Sequence, residues 1–358
     1  MPAITGMKGA GYYDQHSTAQ LATIHALQDW IEAAIASLPL PAPAQPVTVL
    51  DLGCSEGRNA IHVMTTIVAG LRQRTGQPLQ TIYSDLPSNN FNQLFANLEE
   101  ARCAGLVPTG VYASAVGGSF YGPLMPPRSV HFATCFNSIQ WLDQLPSEPV
   151  PDFVAYRRPH PPRSGLAVSP EATAAFKGQA ERDLVRFLEC RAHELVPGGK
   201  LLLASPGDTD QVRLSDGAAD VLNDACLDLV ADGRLEREQY ERLTLPMYFR
   251  TVAELLAPWE AEDSPVRDVF DIDCAEALEV PTPFCVELRR GNVAAFADAY
   301  TGFMRAVSEP VVRAALQQPK REEAIVASLY ERIRARLLAE PERYLFRYIL
   351  VAALLTRR

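Results

Sequence analysis

Two glycines and two aspartates at fixed distances carry the most chemical information in this chain. Residues 49–57, VLDLGCSEG, read as a hydrophobic strand that breaks into a glycine-punctuated turn, and 34 residues beyond Asp51 a second apolar run ends in SDLP with Asp85 at its tip. Gly53 and Gly57 have no Cβ and tolerate positive φ, so the backbone there can come close to a ligand. A carboxylate at the tip of the next strand can accept hydrogen bonds from both hydroxyls of a ribose. Together these features describe a pocket for an adenine nucleoside. A dinucleotide site uses the same parts, but the spacing here is D-x-G-x-x-x-G rather than G-x-G-x-x-G, and no P-loop lysine follows. A loop that need hold no pyrophosphate suits S-adenosylmethionine, which has none. The competing reading is a plain strand-to-helix turn with Asp85 at the surface.

The surrounding pattern supplies the scaffold. Residues 18–37 predict an amphipathic helix, and the proline-rich PLPAPAQP of 39–46 forces a linker into the first strand. Strands are predicted over 47–52, 80–84, 130–136 and 200–205, separated by helices near 58–75, 89–104 and 170–195. Such alternation predicts a parallel sheet covered on both faces. Ligands of such sheets bind at the carboxyl ends of the strands, where Gly53, Asp85 and Asn137 fall. Beyond Ser205 the pattern becomes helical, over 214–243, after the 245–248 loop, and near 291–316 and 320–340, with strands near 266–274 and 344–355. The final apolar stretch, YILVAALL (348–355), has only a strand's length. The expected organisation is a single domain over 1–358. Within it lie an N-terminal segment over the active site (1–46), a cofactor-binding core (47–205), a helical cap with a returning strand (206–343) and a last sheet strand (344–358). The proline-rich stretch 157–170 predicts a mobile surface loop.

Bulk properties narrow the function. Thirty-three basic against 43 acidic residues give a net charge of −10, which offers no general attraction to nucleic acid or an anionic membrane. No apolar run is long enough to cross a bilayer and the first residues lack a signal-peptide core, so a cytoplasmic protein is expected. The seven cysteines, widely spaced with no C-x-x-C pair, read as reduced thiols rather than disulfides or a zinc site. The six histidines show no ligand spacing, and no metal is expected.

Nine blocks in order resemble the SABATH methyltransferases: MKG (7–9), Tyr13-x-x-x-Ser17-x-x-Gln20, DLGCSEGRN (51–59), SDLPSNNFN (84–92), GGSFYGPLMP (117–126), NSIQWLDQLP (137–146), FLECRAHELVPGGKLLL (187–203), LPMY (245–248) and MRAVSEP (304–310). Members of this family use S-adenosylmethionine to methylate carboxylates of small acids and, in one branch, ring nitrogens of xanthines. The resemblance implies an α/β, Rossmann-like methyltransferase fold with a mostly parallel seven-stranded sheet and an α-helical cap, and a homodimer. It implies that Tyr13 and Ser17 contact the methionine part of the cofactor, with Gly53, Cys54 and Asn59 along the same wall. Asp85 would hold the ribose, and Leu86, Ser119 and Phe120 the adenine. Gln20 and Trp141 would grip the substrate carboxylate, and Lys8 has no implied role.

Each of these positions also has an ordinary reading. Trp141 could be a core aromatic, Gln20 a solvated helix residue, and 119–121 a turn with buried aromatics. The sequence departs from plant members of the family in the block before the tryptophan, where Asn137 replaces an aromatic and Gln140 a methionine or histidine. Both changes add hydrogen-bonding capacity and imply a substrate with extra polar groups. Ala218 and Ala219 align where bulky residues usually close the pocket, implying a roomier cavity. The expected activity is therefore O-methylation of a small aromatic carboxylic acid. The alternatives are N-methylation of a heterocycle such as a xanthine, a catalytically silent S-adenosylmethionine binder, and a nicotinamide-dependent dehydrogenase.

Overall fold

Neither Val47–Leu52 nor Val130–Phe136 has an exposed residue. Strands buried on both faces read as near-continuous apolar runs, as at the centre of a parallel sheet, and the computed structural model places both there. It describes residues 6–146, 168–316 and 319–358. The chain enters through α1 (Tyr12–His16), α2 (Thr18–His25) and α3 (Gln28–Ser37). It then alternates through β1 (Val47–Leu52), α4 (Arg58–Arg72), β2 (Leu79–Asp85), α5 (Phe91–Cys103), β3 (Val111–Gly117), β4 (Val130–Phe136), α6 (Pro170–Glu194) and β5 (Leu195–Pro206). A helical section follows: α7 (Ser215–Ala231), α8 (Arg237–Glu241) and α9 (Val252–Glu260). Strand β6 (Phe270–Val280), helices α10 (Pro283–Arg289), α11 (Val293–Leu316) and α12 (Pro319–Ala339), and strand β7 (Tyr348–Arg357) complete the chain.

The seven strands run β3-β2-β1-β4-β5-β7-β6. Pairs from β3 to β5 are parallel, and β7 is antiparallel to both of its neighbours. Alternation along the central strands sends Val47, Val49 and Phe132 into one core with α3, α4 and the helices of the cap. Leu50, Leu52, Ala133 and Cys135 enter a second core with Leu184, Phe187 and Leu188 of α6. This is the mostly parallel seven-stranded methyltransferase sheet with a helical cap that the resemblance implied.

Local details differ from expectation. The helix expected over 18–37 is two helices, because Leu27 leaves helical geometry (φ −110°, ψ 19°) between α2 and α3. An edge strand, β3, occupies VYASAVG, whose small half-exposed residues gave little apolar contrast. Strand β6 begins at Phe270 and continues to Val280, with an acidic, largely exposed centre that hides its strand character. Residues 157–167 of the proline-rich loop lie outside the described residues. Among the described residues no helix is long and apolar enough to cross a membrane.

Candidate active site

The strand order reverses between β1 and β4, and the loops leaving their carboxyl ends part there to open a crevice. Gly53, at φ +89°, lies so close to the β4 loop that a Cβ on it would sit 2.1 Å from Ser138 Oγ. Gly57, at φ +105°, meets Leu94 in the same way, at 2.4 Å. Conformation therefore disfavours a side chain at both positions, and at Gly53 the nearby Ser138 side chain also leaves no room for one. Backbone N–H groups of Gly53 and Cys54 donate to Ser84 O at 2.9 and 3.0 Å, tying this loop to the end of β2.

Asp85 closes that end. Its Oδ2 accepts from Ser55 N and its Oδ1 from Leu86 N, both at 2.7 Å. Burial pushes its carboxyl up from the ordinary range, while these two N–H groups pull it back. Each oxygen keeps lone-pair capacity, as a diol would need, and Asp85 lines the cleft. The cleft is lined by Gly53, Ser55, Asp85, Leu86, Asn89, Ser119 and Phe120, with Tyr13 from α1. The stretch from Phe120 to Leu124 is held by an ion pair that is almost fully buried: Arg191 donates to Glu194 at 2.8 and 2.9 Å and to Phe120 O at 2.8 Å, and Glu194 accepts from Leu124 N at 2.6 Å. Such a pair is fully hydrogen-bonded on both sides, which is what makes its burial tolerable.

A second cavity adjoins this cleft on the cap side. Gln20, Asn137, Gln140 and Trp141 line it, and the rest is mainly apolar, including Leu214, Leu222, Leu245, Met247, Phe303 and Phe346. Ala218 and Ala219 are in its wall, where their alignment put them. Met7, Tyr13, Asn137 and Trp141 line both spaces, so the two meet at these residues. The turn carrying Trp141 is tied to its neighbours. Trp141 bridges to Met247, its carbonyl accepts from Tyr121 OH at 2.6 Å, and buried Arg250 donates to Ile139 O at 2.7 Å.

Three polar atoms of this cavity are buried without a partner: Trp141 Nε1, Gln20 Oε1 and Gln140 Oε1. A buried polar atom left unpaired costs about 1–3 kcal/mol, so its presence in the wall of a cavity points to a ligand. Asn137 differs. At φ +54° it donates through Nδ2 to Thr23 Oγ1 at 2.9 Å, and its Oδ1 accepts from Tyr348 OH at 2.8 Å. Thr23 Oγ1 in turn donates to Gln20 O at 2.7 Å, so Asn137 braces the helix that presents Gln20.

The N-terminal segment is strapped across both spaces. Lys8 Nζ donates to Glu309 at 2.6 Å and its backbone N–H to Ala306 O, while Gly11 N donates to Glu56 Oε2 at 2.9 Å. Glu309 also accepts from Arg305 and Arg313, and its carboxyl sits at about 2: burial alone would raise it, but these donors outweigh that penalty. Lys8 is thus a tie between the segment and α11. Of the other anticipated cofactor residues, Ser17, Cys54 and Asn59 stand outside the cleft lining, with Asn59 Nδ2 donating to Ser17 O at 3.3 Å. Ser55, Asn89 and Ser138 line the cleft without having been singled out, although all three fall within the quoted sequence blocks. Among the described residues no three His, Cys, Asp or Glu side chains gather as a metal site. Behind the cleft, Asp51 is buried and accepts from Thr134 at 2.8 Å; burial pushes its carboxyl up to about 7.

Comparison with known proteins supplies independent findings. A family model described as "SAM dependent carboxyl methyltransferase" matches residues 3–358. The chain is 30% identical to an indole-3-acetate O-methyltransferase of Oryza sativa subsp. japonica, over 94% of this chain and 87% of that protein. It is 28% identical to a salicylate carboxymethyltransferase of Clarkia breweri, over 99% and 97%. A solved loganic acid methyltransferase with SAH shares the fold at a TM-score of 0.80 and 24% identity, with 98% of each chain covered.

Proposed function

Because this chain belongs to the S-adenosylmethionine-dependent carboxyl methyltransferase family, it is a methyltransferase, and we propose that it esterifies a small, largely apolar carboxylic acid seated beside Trp141. The observation that carries this reading is Trp141 Nε1, a buried N–H donor without a partner on the wall shared by the two spaces. An anionic oxygen bound there lies next to whatever fills the cleft above Asp85.

Bound S-adenosylmethionine supplies an electrophilic methyl on a sulfonium. Asp85 would accept from the ribose hydroxyls, Leu86, Ser119 and Phe120 would enclose the adenine, and Tyr13 and Gly53, with Ser17, Cys54 and Asn59 outside the lining, would bound the methionine part. Asp85's open lone pairs and the Cβ-free approach at Gly53 fit such a group.

The residues' work is positional. A carboxylic acid with an ordinary pKa near ~4 is already ionised at neutral pH, so the protein supplies no base. Trp141 and Gln20 present neutral N–H donors to the carboxylate, Gln20 after a half-turn of its amide. Neutral donors suit the step because the carboxylate loses its charge on becoming an ester, and a cationic clamp would favour the ground state. Apolar walls strip water from the acid and hold one oxygen toward the cleft. Indole-3-acetate and salicylate, named for the two relatives, are small aromatic acids, which supports a substrate of that size.

The test is transfer of radiolabelled methyl from S-adenosylmethionine to a panel of small acids and heterocyclic amines. Base-labile product from acids supports the proposal; stable N-methyl product alone overturns it. We further read residues 1–358 as one domain, since β7 returns from the cap to lie between β5 and β6. The seven cysteines are free, and four are buried, in keeping with a reducing, cytoplasmic compartment. A homodimer follows from the family resemblance, and sedimentation tests it.

A further inference from the structure

Gln140 is 5% exposed and lines the cavity proposed for the acid. Its Nε2 donates to Asn137 O at 2.7 Å. That bond fixes the amide's orientation, because the flipped form would set one carbonyl oxygen against another. The partnerless atom, Oε1, is therefore an acceptor, buried without a protein partner on a residue of the cavity wall. It cannot serve the substrate carboxylate, which is itself an acceptor. Nor does Asn137 relieve it, since that amide is engaged by Thr23 and Tyr348. The apolar part of the cavity lining, including Leu214, Leu245, Phe303 and Phe346, offers no donor.

We infer that Gln140 determines specificity, and that the acid this enzyme methylates carries a hydrogen-bond donor, a hydroxyl or N–H, on its otherwise apolar body for Gln140 Oε1. The inference rests on the carboxyl-methylation reading of the same cavity. Its physical basis is asymmetry: an acid without the donor leaves a buried carbonyl dry and unpaired, whereas one with it satisfies the site. Pockets built this way discriminate far better than apolar pockets sorting by size.

The experiment measures kcat/KM with radiolabelled S-adenosylmethionine for matched acids: the three ring-hydroxylated phenylacetates against phenylacetate, and indole-3-acetate against its 1-methyl derivative. The wild-type enzyme should favour a donor-bearing member by roughly ten- to hundredfold, and Gln140→Met should bring that ratio to about one. An unchanged melting shift with S-adenosylhomocysteine shows that the variant is folded. Esters formed equally well from both members of every pair, or a ratio that survives in Gln140→Met, overturn the inference and leave the carboxyl reading standing. No base-labile ester from any member overturns both. The wild-type ratios suffice for refutation even if the variant fails to fold.

Discussion

Replacing Trp141 by phenylalanine removes one N–H and keeps an aromatic ring, and the two states of the enzyme should respond in opposite ways. Among the protein's own atoms Nε1 is buried without a partner, an arrangement that costs about 1–3 kcal/mol where water does not reach it. Phenylalanine relieves that cost but gives up part of the indole's packing, a loss of similar size, about 1–3 kcal/mol. The melting temperature should therefore stay within roughly 3 °C of wild type. With the acid bound, the same N–H faces a carboxylate, and a hydrogen bond to a charged group contributes about 1.5–3 kcal/mol. Its loss should lower kcat/KM for the acid by roughly ten- to hundredfold. Initial rates with methyl-labelled cofactor at low acid concentration read that factor, and calorimetric titration with S-adenosylhomocysteine should show nearly unchanged affinity. A normal kcat/KM, or a fall in cofactor affinity as large as the fall in rate, refutes the role given to this donor.

Three further predictions use the same protein. Asp85→Ala should weaken S-adenosylhomocysteine by a few kcal/mol, about 2–3, as expected for loss of a charged acceptor; unchanged affinity by calorimetry removes Asp85 from the ribose. Asp51 predicts a pH dependence of stability. Its folded carboxyl is raised to about 7 while an unfolded one titrates near ~4, so between those values the folded chain holds a proton that the unfolded chain has lost. Stability from this group is full below pH ~4, falls by at most roughly 4 kcal/mol toward pH 7 and is flat above. Asp51→Asn should flatten this slope and melt higher than wild type at pH 8; an identical slope in both proteins contradicts it. Lys8→Met cuts the tie from the N-terminal segment to Glu309 and should weaken S-adenosylhomocysteine roughly fivefold, about 1 kcal/mol for a partly exposed charged pair; a loss confined to kcat would instead place Lys8 at the reacting groups.

What could be read in the sequence was local chemistry. The glycine turn after β1, Asp85 at the end of β2 and the apolar runs of the central strands each carry their signal within about ten residues, and each lies where it was expected. Contacts between distant segments were not legible. Asn137 was read as a polar group open to substrate, yet its amide partners lie 114 and 211 residues away in the chain. Gly53 is constrained by Ser138, 85 residues on, which no turn pattern encodes. The break between α2 and α3 falls at Leu27, a good helix former that is fully buried where the chain bends. Packing overrides propensity there. Strands β3 and β6 were missed or misplaced because each runs at a sheet edge, where half-exposed residues blur the alternation that marks a strand.

The central claim is that a carboxylate sits on uncharged donors at the junction of the two spaces. A crystal structure with S-adenosylhomocysteine and an acid that the enzyme esterifies tests it most directly. The account predicts the nucleoside over Asp85 and one carboxylate within hydrogen-bond distance of both Trp141 Nε1 and the Gln20 amide, with an oxygen facing the thioether sulfur. An acid held by a cationic side chain, or a carboxylate turned away from the sulfur, contradicts it.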